Sequence, residues 1–138
     1  MAARTPLVIV NGIVSQLPAG DILSTELLAI ANGASYGQAI YITSLGAAAL
    51  ADSTSHPETV GLSFDSNNVQ IGGIFTATTG QWTALTGGPL VAGSVYFLGV
   101  AGNLTVVIPT SPGSFLVRIG KALSPTELEL AIEPPIGL

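Results

Sequence analysis

Short apolar stretches, rich in β-branched residues and broken by turn residues, recur roughly every ten positions along the chain. Such stretches favour β-strands, because β-branched and aromatic side chains pack well on a pleated, half-buried surface. Residues 23–32 suit either a helical turn or a strand, and we favour a strand because their neighbours predict strands. The predicted strands are residues 6–14, 23–32, 38–45, 59–65, 69–77, 95–99, 104–109, 114–122 and 126–133.

Two features of the last third give the clearest pattern. Residues 95–99 and 104–109 flank Ala101-Gly102-Asn103, which is a typical hairpin signal. Residues 126–133 then alternate, which predicts a half-buried antiparallel strand with an anionic outer face. Its apolar face holds Leu128, Leu130 and Ile132, and its other face holds Glu127, Glu129, Ala131 and Glu133.

Glycine and proline punctuate the remaining stretches. Asn11-Gly12 predicts a tight turn or bulge, and Gly72-Gly73 predicts a bulge within one strand over 69–77. Residues 46–52 have helical propensity but are too few for a stable isolated helix. Thr79-Gly80 predicts a turn leading into 81–85, and Pro134-Pro135 ends the last strand.

This punctuation predicts about nine to eleven short strands, which is typical of an all-β antiparallel sandwich or barrel. The length suits a single β-rich domain over 1–138, with residues 1–10 as a candidate extended N-terminal arm.

Charge changes the interpretation of the surface. Only 8% of residues are charged, and none occurs between Asp65 and Arg118. Mean hydropathy is +0.64. An ordinary soluble domain has about 25% charged residues. The chain therefore has too few ionised groups to coat a monomer, and a membrane, a partner or identical copies must cover the rest.

Neither a membrane nor a nucleic acid fits that role. The longest apolar run, residues 90–109, contains Gly93, Gly99 and Gly102, which indicate a hairpin rather than a spanning helix. Residues 1–14 make a poor signal peptide. The net charge of −5, with no basic patch, disfavours nucleic acid. Protein partners, including other copies of the chain, remain.

Candidate chemistry is sparse. The chain has no cysteine, and His56, its one histidine, lies in a polar loop; a general base or lone metal ligand is the alternative to a simple surface residue. Asp65-Ser66-Asn67 resembles the start of a calcium loop, but no glycine or bidentate glutamate follows, so an Asx turn is favoured. No metal or cofactor is predicted.

Acidic and aromatic residues allow two further functional interpretations. Glu127, Glu129 and Glu133 suggest paired carboxylates, since residues two apart on one strand face have about the separation that glycosidases use, yet strand alternation alone produces it. The aromatic residues suit either a sugar-stacking platform or a buried core, and we favour the core. They are Trp82, Tyr36, Tyr41 and Tyr96. The residues thus predict a protein that is not an enzyme.

Three segments resemble a β-rich module of tailed-bacteriophage structural proteins. The opening LVIVNGIVSQLPAGDIL resembles its start, LVAGSVYFLGVAGNLTVVIP its middle, and GSFLVRIGKALSPTELELAIEPPIGL its end. The likeness covers nearly the whole chain and consists of turn and strand chemistry. It implies a homotrimeric β-structure attached to a virion, either as a capsid cement (decoration) protein or as a module of a head or tail fibre.

We favour the cement protein, since 138 residues leave little room for the shaft and attachment segment of a fibre. The implied partners are two further copies of the chain and the major capsid protein. The implied location is the capsid surface of a virion assembled in the bacterial cytoplasm. The alternative is a fibre tip that binds host surface glycan. The candidate interface residues are Leu7, Val8, Ile9, Val10, Tyr96, Phe97 and Leu98.

Overall fold

The computed structural model describes residues 7–10, 13–16 and 27–138, which hold fourteen β-strands and one α-helix, α1 (Thr79–Thr86). The strands are β1 (Leu7–Val10), β2 (Ile13–Gln16), β3 (Leu27–Ala29), β4 (Ala39–Ile42), β5 (Ala48–Leu50), β6 (Gly61–Asp65), β7 (Asn68–Gln70), β8 (Ile74–Thr76), β9 (Val95–Leu98), β10 (Leu104–Thr105), β11 (Phe115–Leu116), β12 (Arg118–Ala122), β13 (Glu127–Leu130) and β14 (Ile136–Gly137).

These strands form two five-stranded sheets and two strand pairs, all antiparallel. The first large sheet has the order β3-β7-β6-β4-β5, and the second has the order β10-β9-β12-β13-β8. The pairs are β1-β2 and β11-β14. The prediction of an all-β antiparallel protein is confirmed, apart from the one short helix.

Both large sheets contribute side chains to one apolar core. Leu62 comes from the first sheet, Leu98 and Leu128 come from the second, and Trp82 comes from α1. Each of these four side chains is fully buried or nearly so. The core therefore joins the sheets and the helix, and it fixes the position of the helix against the second sheet.

The Gly72-Gly73 pair carries the chain from one large sheet to the other. The prediction of one bulged strand over 69–77 is wrong, because β7 ends at Gln70 in the first sheet and β8 begins at Ile74 in the second. The Gln70 side-chain amide donates to the carbonyl oxygens of Gly72 (2.9 Å) and Ile74 (3.0 Å), which fixes the crossing. Gly73 has φ 74°, a conformation that glycine adopts at no steric cost.

Helix α1 replaces the turn predicted at Thr79-Gly80. Thr78 and Gln81 form a capping box: the Thr78 hydroxyl accepts from the Gln81 N–H, and the Gln81 side chain accepts from the Thr78 N–H. Gly87 ends the helix in a left-handed conformation, with φ 88°. The caps satisfy the terminal backbone groups of a helix too short to be stable alone.

Sheet pairing overrides local propensity at the alanine-rich segment 46–52. Its residues Ala48–Leu50 form β5, which pairs with β4, so the helical tendency noted in the sequence is not expressed. The strand favoured for 23–32 is confirmed in part by β3, since the structure describes that segment only from residue 27.

The C-terminal third matches its pattern more closely. The predicted hairpin is confirmed, with Leu104 paired to Leu98. In β13, Leu128 and Leu130 are buried and Glu129 is exposed, as the alternation predicts. The stretch 114–122 divides at Val117 into β11 and β12, and the tail after Pro134-Pro135 forms β14. The single strand predicted over 114–122 is therefore two.

Strand β1 pairs with β2, and Val10 lies opposite Ile13. The predicted strand over 6–14 is thus two paired strands around Asn11-Gly12. Residues 1–6 of the candidate arm and the Asn11-Gly12 turn itself lie outside the described residues.

Candidate interaction surface

The turn of the β9–β10 hairpin is hydrogen-bonded to residues 51–53, which directly follow β5 of the first sheet. The Gly102 N–H donates to Ala51 O (2.7 Å), and the Ser53 N–H donates to Gly99 O (3.0 Å). Ser53 O in turn accepts from the Phe115 N–H (2.8 Å). Residues 51–53, here called the junction, therefore tie the first sheet to the hairpin and to β11.

The Asp52 carboxylate completes this junction. One oxygen accepts from the Ala101 N–H (2.9 Å) and the other from the Thr54 N–H (2.8 Å). Ala101 has φ 52°, and it is the one described non-glycine residue with a positive φ. A left-handed alanine is uncommon and strained. The charge-assisted bond from Asp52 therefore stabilises an otherwise unfavourable turn.

Two opposing effects set the pKa of Asp52. Partial burial raises it, but hydrogen bonds from Thr54 and Ala101, together with the nearby His56, outweigh burial and hold the pKa below its usual range. The carboxylate is therefore ionised at neutral pH and is available to the Ala101 N–H.

The inner side of α1 is anchored by Trp82. Its ring is fully buried and meets Phe75 edge-on, with ring centroids 5.8 Å apart. Its indole N–H donates to Thr126 O (2.9 Å), in the turn between β12 and β13. Leu85, three residues on, is buried on the same side of the helix.

The outer side of α1 carries no ionised group. Thr83 and Thr86 turn their hydroxyls back onto the carbonyl oxygens four residues earlier, at 2.7 and 3.1 Å. Ala84 is exposed between them. The outer side of the helix is consequently less polar than its composition indicates, because two of its hydroxyls are already bonded to the backbone.

After Thr105 the chain leaves the second sheet. The Val107 N–H donates to the Thr105 hydroxyl (3.0 Å), and β10 ends there although a strand is predicted as far as residue 109. Val106, Val107 and Ile108 are 50%, 70% and 51% exposed. Three consecutive exposed aliphatic residues are unusual on a monomer unless they have a function.

The outer side of α1 and residues 98–109 enclose a depression of about 510 Å³, here called the α1 groove. A second depression of about 320 Å³ adjoins it and shares Thr86, Gly87, Thr105 and Val107 with it. Val91 (61% exposed) and Val100 (57%) lie at the borders of these depressions. No Asp, Glu, Lys or Arg lines either one, so the surface is neutral, and its lining is mainly apolar with a few serine, threonine and asparagine residues.

The predicted interface residues are divided by the structure. Tyr96 and Leu98 are buried in the core, at 2% and 0% exposure, so their side chains have almost no surface left for a partner. Phe97 is half-buried and lines a separate pocket of about 220 Å³. Leu7, Val8, Ile9 and Val10 form β1.

Two of the four aromatic residues considered for a sugar-stacking platform, Trp82 and Tyr96, have almost no exposed ring surface. Trp82 and Tyr96 are buried, and Tyr36 and Tyr41 are half-buried and packed against the core. The Tyr96 hydroxyl accepts from the Val91 N–H (3.0 Å). The core interpretation is therefore confirmed for Trp82 and Tyr96.

The polar residues singled out in the sequence have structural partners. His56 is exposed and stacks on Tyr41, with centroids 4.5 Å apart and planes 7° apart. The Asp65 carboxylate accepts from the Asn67 N–H (2.8 Å), which confirms the Asx turn. Among the residues from 27 onward, no group of three or more acidic or histidine side chains has the arrangement of a metal site.

The C-terminal acids each lie beside a polar or basic neighbour. Glu127 accepts from the Ser124 hydroxyl (3.0 Å), Glu129 is in register with Lys121, and Glu133 lies 4.0 Å from the Arg118 guanidinium. A turn hydrogen bond, a cross-strand pair and an ion pair thus account for the three acids as features of a protein surface.

The sequence analysis did not name any of the exposed groove residues as interface residues. Val91, Val100 and residues 106–108 all lie in the charge-free stretch 66–117, which was a signal for them. That signal is shared by core residues such as Tyr96, so the sequence cannot separate buried from exposed members of the stretch. For residues 106–108, the exposure of the side chains follows from the end of β10 at Thr105.

In the described part of the chain, no helix is long and apolar enough to cross a membrane. Comparisons with protein families, with curated proteins and with solved structures find no match.

Proposed function

We propose that this chain is a structural virion protein that binds the outside of a phage capsid and stabilises it as a homotrimeric cement (decoration) protein. The α1 groove carries the proposal. It is neutral along its whole lining, and five aliphatic side chains at least half exposed lie on or beside it. A surface of that kind is stable in water mainly when protein covers it.

The energetic gain from covering the groove is substantial. Burial of apolar surface contributes about 25 cal/mol per Å², so each of these valine and isoleucine side chains adds up to about 1 kcal/mol on contact. A standard protein interface buries about 1,200–2,000 Å² in total, and the two adjoining depressions provide an apolar centre for one.

The arrangement of the two five-stranded sheets around one core supports a β-sandwich as the fold of each subunit. The resemblance to trimeric phage modules supports three copies per assembly. The low charge supports extensive contact, because a chain with 8% charged residues leaves much of its surface to be covered by protein.

A cement protein acts by binding the assembled shell in preference to its separate subunits. Binding of this type stabilises the shell by about 2.7 kcal/mol per site when the free protein is at a hundred times its Kd. Repetition over all equivalent positions of a shell multiplies that gain, so the binding step alone, with no catalytic group, supplies the activity.

The glycan-binding alternative loses its main support. A sugar platform needs exposed aromatic rings, and Trp82 and Tyr96 have almost no exposed surface. We therefore make no second proposal.

The deciding experiment measures native mass and binding to purified phage shells for the wild type, Val107→Asp and Leu123→Asp. Val107 lies in the groove, and Leu123 is an exposed aliphatic residue outside it. We expect Val107→Asp to weaken self-association or shell binding at least a hundredfold, because an uncompensated charge would be buried. Leu123→Asp should change neither by more than about twofold.

Equal self-association and shell binding by Val107→Asp and the wild type would show that the α1 groove is not part of the interface. A wild-type chain that stays monomeric and has no affinity for any shell would overturn the proposed function.

A further inference from the structure

Strand β5 has an open edge. The Ala51 N–H donates to Ala39 O (2.9 Å), which makes these two a hydrogen-bonded pair of the β4–β5 ladder. Because such pairs alternate along antiparallel strands, Ala49 is the next one. The N–H and C=O groups of Ala48 and Leu50 therefore point away from β4, and they have no hydrogen-bond partner among the described residues.

The two outer strands of the second large sheet, β8 and β10, are protected in ways that limit pairing with another chain. On β8, the Tyr36 hydroxyl donates to Thr76 O (2.7 Å) and the Gln70 side chain donates to Ile74 O (3.0 Å). Strand β10 is only two residues long. Proteins usually protect edges in these ways or with lysine, proline or charge. Strand β5 is also short, at three residues, but no described side chain bonds to its outer edge and it contains no lysine, proline or charged residue.

The surroundings of β5 are apolar and uncharged. No Asp, Glu, Lys or Arg occurs from residue 27 to residue 51. Leu45, in the β4–β5 turn, is 93% exposed, and Ile42 and Leu50 are 38% and 37% exposed. An added strand would gain backbone hydrogen bonds along the edge and apolar contacts beside it.

The β1–β2 hairpin matches this edge. It forms a two-stranded sheet that is hydrogen-bonded to no other described strand, and an isolated sheet of two strands is marginally stable in water. Its strands, LVIV and IVSQ, are four residues long and uncharged, against three residues for β5. Ten residues separate Gln16 from Leu27, and a chain of that length extends to about 36 Å.

We propose that the β1–β2 hairpin of one copy adds to the β5 edge of a second copy. The contact joins two different surfaces, so its repetition gives a ring of three copies if each step rotates by a third of a turn, and an open filament if the rotation does not close. The inference rests on the proposed function in one respect, namely that identical copies associate; it adds the segment that is exchanged and the edge that receives it.

A cross-linking experiment tests the contact directly. The chain has no cysteine, so introduced thiols are the only ones present. One protein carries Ala49→Cys, and a second carries a cysteine at one of the positions 7–10, each tested in turn. We expect a disulfide between the two different proteins for at least one position after mild oxidation. As a control, Ser111→Cys, at an exposed site away from β5, should form none with the same partners.

A backbone variant provides a second test. Ala48→Pro removes an outward N–H and leaves the β4 ladder intact, whereas Ala48→Val keeps that N–H. We expect Ala48→Pro to raise the dissociation constant of the assembly at least tenfold and Ala48→Val to raise it less than threefold. If Ala48→Pro does not fold, hydrogen exchange of the wild-type assembly replaces it, with the Ala48 and Leu50 amides at least a hundredfold protected.

The outcomes separate the two proposals. An assembly mass that is unchanged in Ala48→Pro, or an Ala48 amide that exchanges at the unprotected rate in the wild-type assembly, overturns the strand addition but leaves the proposed function standing. A third protein carries both cysteines in one chain, and a disulfide that forms only within single copies of it also overturns the strand addition between copies. A wild type with no self-association and no shell binding overturns the proposed function itself.

Discussion

The two ends of the β9–β10 hairpin contrast sharply. At its turn, residues 99–103 are bonded to the junction by backbone hydrogen bonds and by the Asp52 carboxylate. At its open end, residues 106–108 leave the sheet and expose three aliphatic side chains in succession. The backbone of the turn is therefore held within the chain, with Val100 as its one large exposed aliphatic residue, whereas the open end leaves three such residues uncovered. We infer that the turn serves the stability of the subunit, and under the proposed function the open end serves association.

The largest effect on stability is expected at the helix that bears one wall of the groove. Trp82→Ala should lower the free energy of unfolding by about 3–5 kcal/mol, because it removes a fully buried ring and its hydrogen bond to Thr126. Trp82→Phe keeps most of the volume and should cost less than half as much. Urea unfolding measures both, and equal losses for the two variants would contradict this account of the anchor.

The next largest loss of stability is expected at Gly102 in the hairpin turn, compared with Gly113 in a turn that has free space around it. Gly102 and Gly113 both have a left-handed φ, but an added Cβ at Gly102 would lie 3.0 Å from the Leu50 side chain and 3.2 Å from Ala39 O. Gly113 has nothing within 4 Å. Gly102→Ala should therefore cost about 2–3 kcal/mol, against about 1 kcal/mol for Gly113→Ala. Thermal unfolding measures both losses of stability. Similar losses for the two variants would contradict the close packing of the hairpin turn around Gly102.

A smaller effect depends on pH. The pKa of Asp52 is lower in the folded chain, so its contribution to stability is complete above the unfolded pKa of about 3.9 and is lost as pH falls below it. Asp52→Asn should cost about 1 kcal/mol at pH 7, since the carboxylate is largely solvated, and the difference from wild type should shrink towards pH 3. A difference that is constant from pH 7 to pH 3 would exclude the ionised carboxylate as its cause.

The smallest effect on the free energy of unfolding belongs to the open end. Val107→Asp should change it by less than about 0.5 kcal/mol in the dissociated chain, because Val107 is 70% exposed there. Chemical denaturation at a concentration below the dissociation constant measures this. A loss above 2 kcal/mol would mean that Val107 belongs to the stable part of the subunit, and the contrast between the hairpin ends would fail.

Much of the fold follows from local pattern, and its departures have physical causes. Period-two alternation and the Ala101-Gly102-Asn103 turn predict β13 and the hairpin, since strand periodicity and turn chemistry are local. Helix α1 is only eight residues long, and its signal is the Thr78/Gln81 capping box rather than any periodic stretch. The passage between sheets at Gly72-Gly73 resembles a bulge in sequence, because both need flexible backbone.

The candidate site is less predictable than the fold. The charge-free stretch 66–117 indicates the correct region, but Val95–Leu98 alternates between a buried and a half-buried face, and its sequence VYFL is apolar on both. Register alone decides that Tyr96 faces inward. Residues 106–108 are exposed after β10 ends at Thr105, where the Val107 N–H donates to the Thr105 hydroxyl, and composition does not reveal that end point.

The passage at Gly72-Gly73 also governs how the subunit bears mechanical load. All strands of the first large sheet precede these glycines, and all strands of the second follow them. A force that separates the sheets is therefore resisted covalently at one place and elsewhere by the core and the junction. Cleavage of the chain between residues 72 and 73 would give two fragments, each with a complete sheet, whose reassociation depends on the apolar contacts between them.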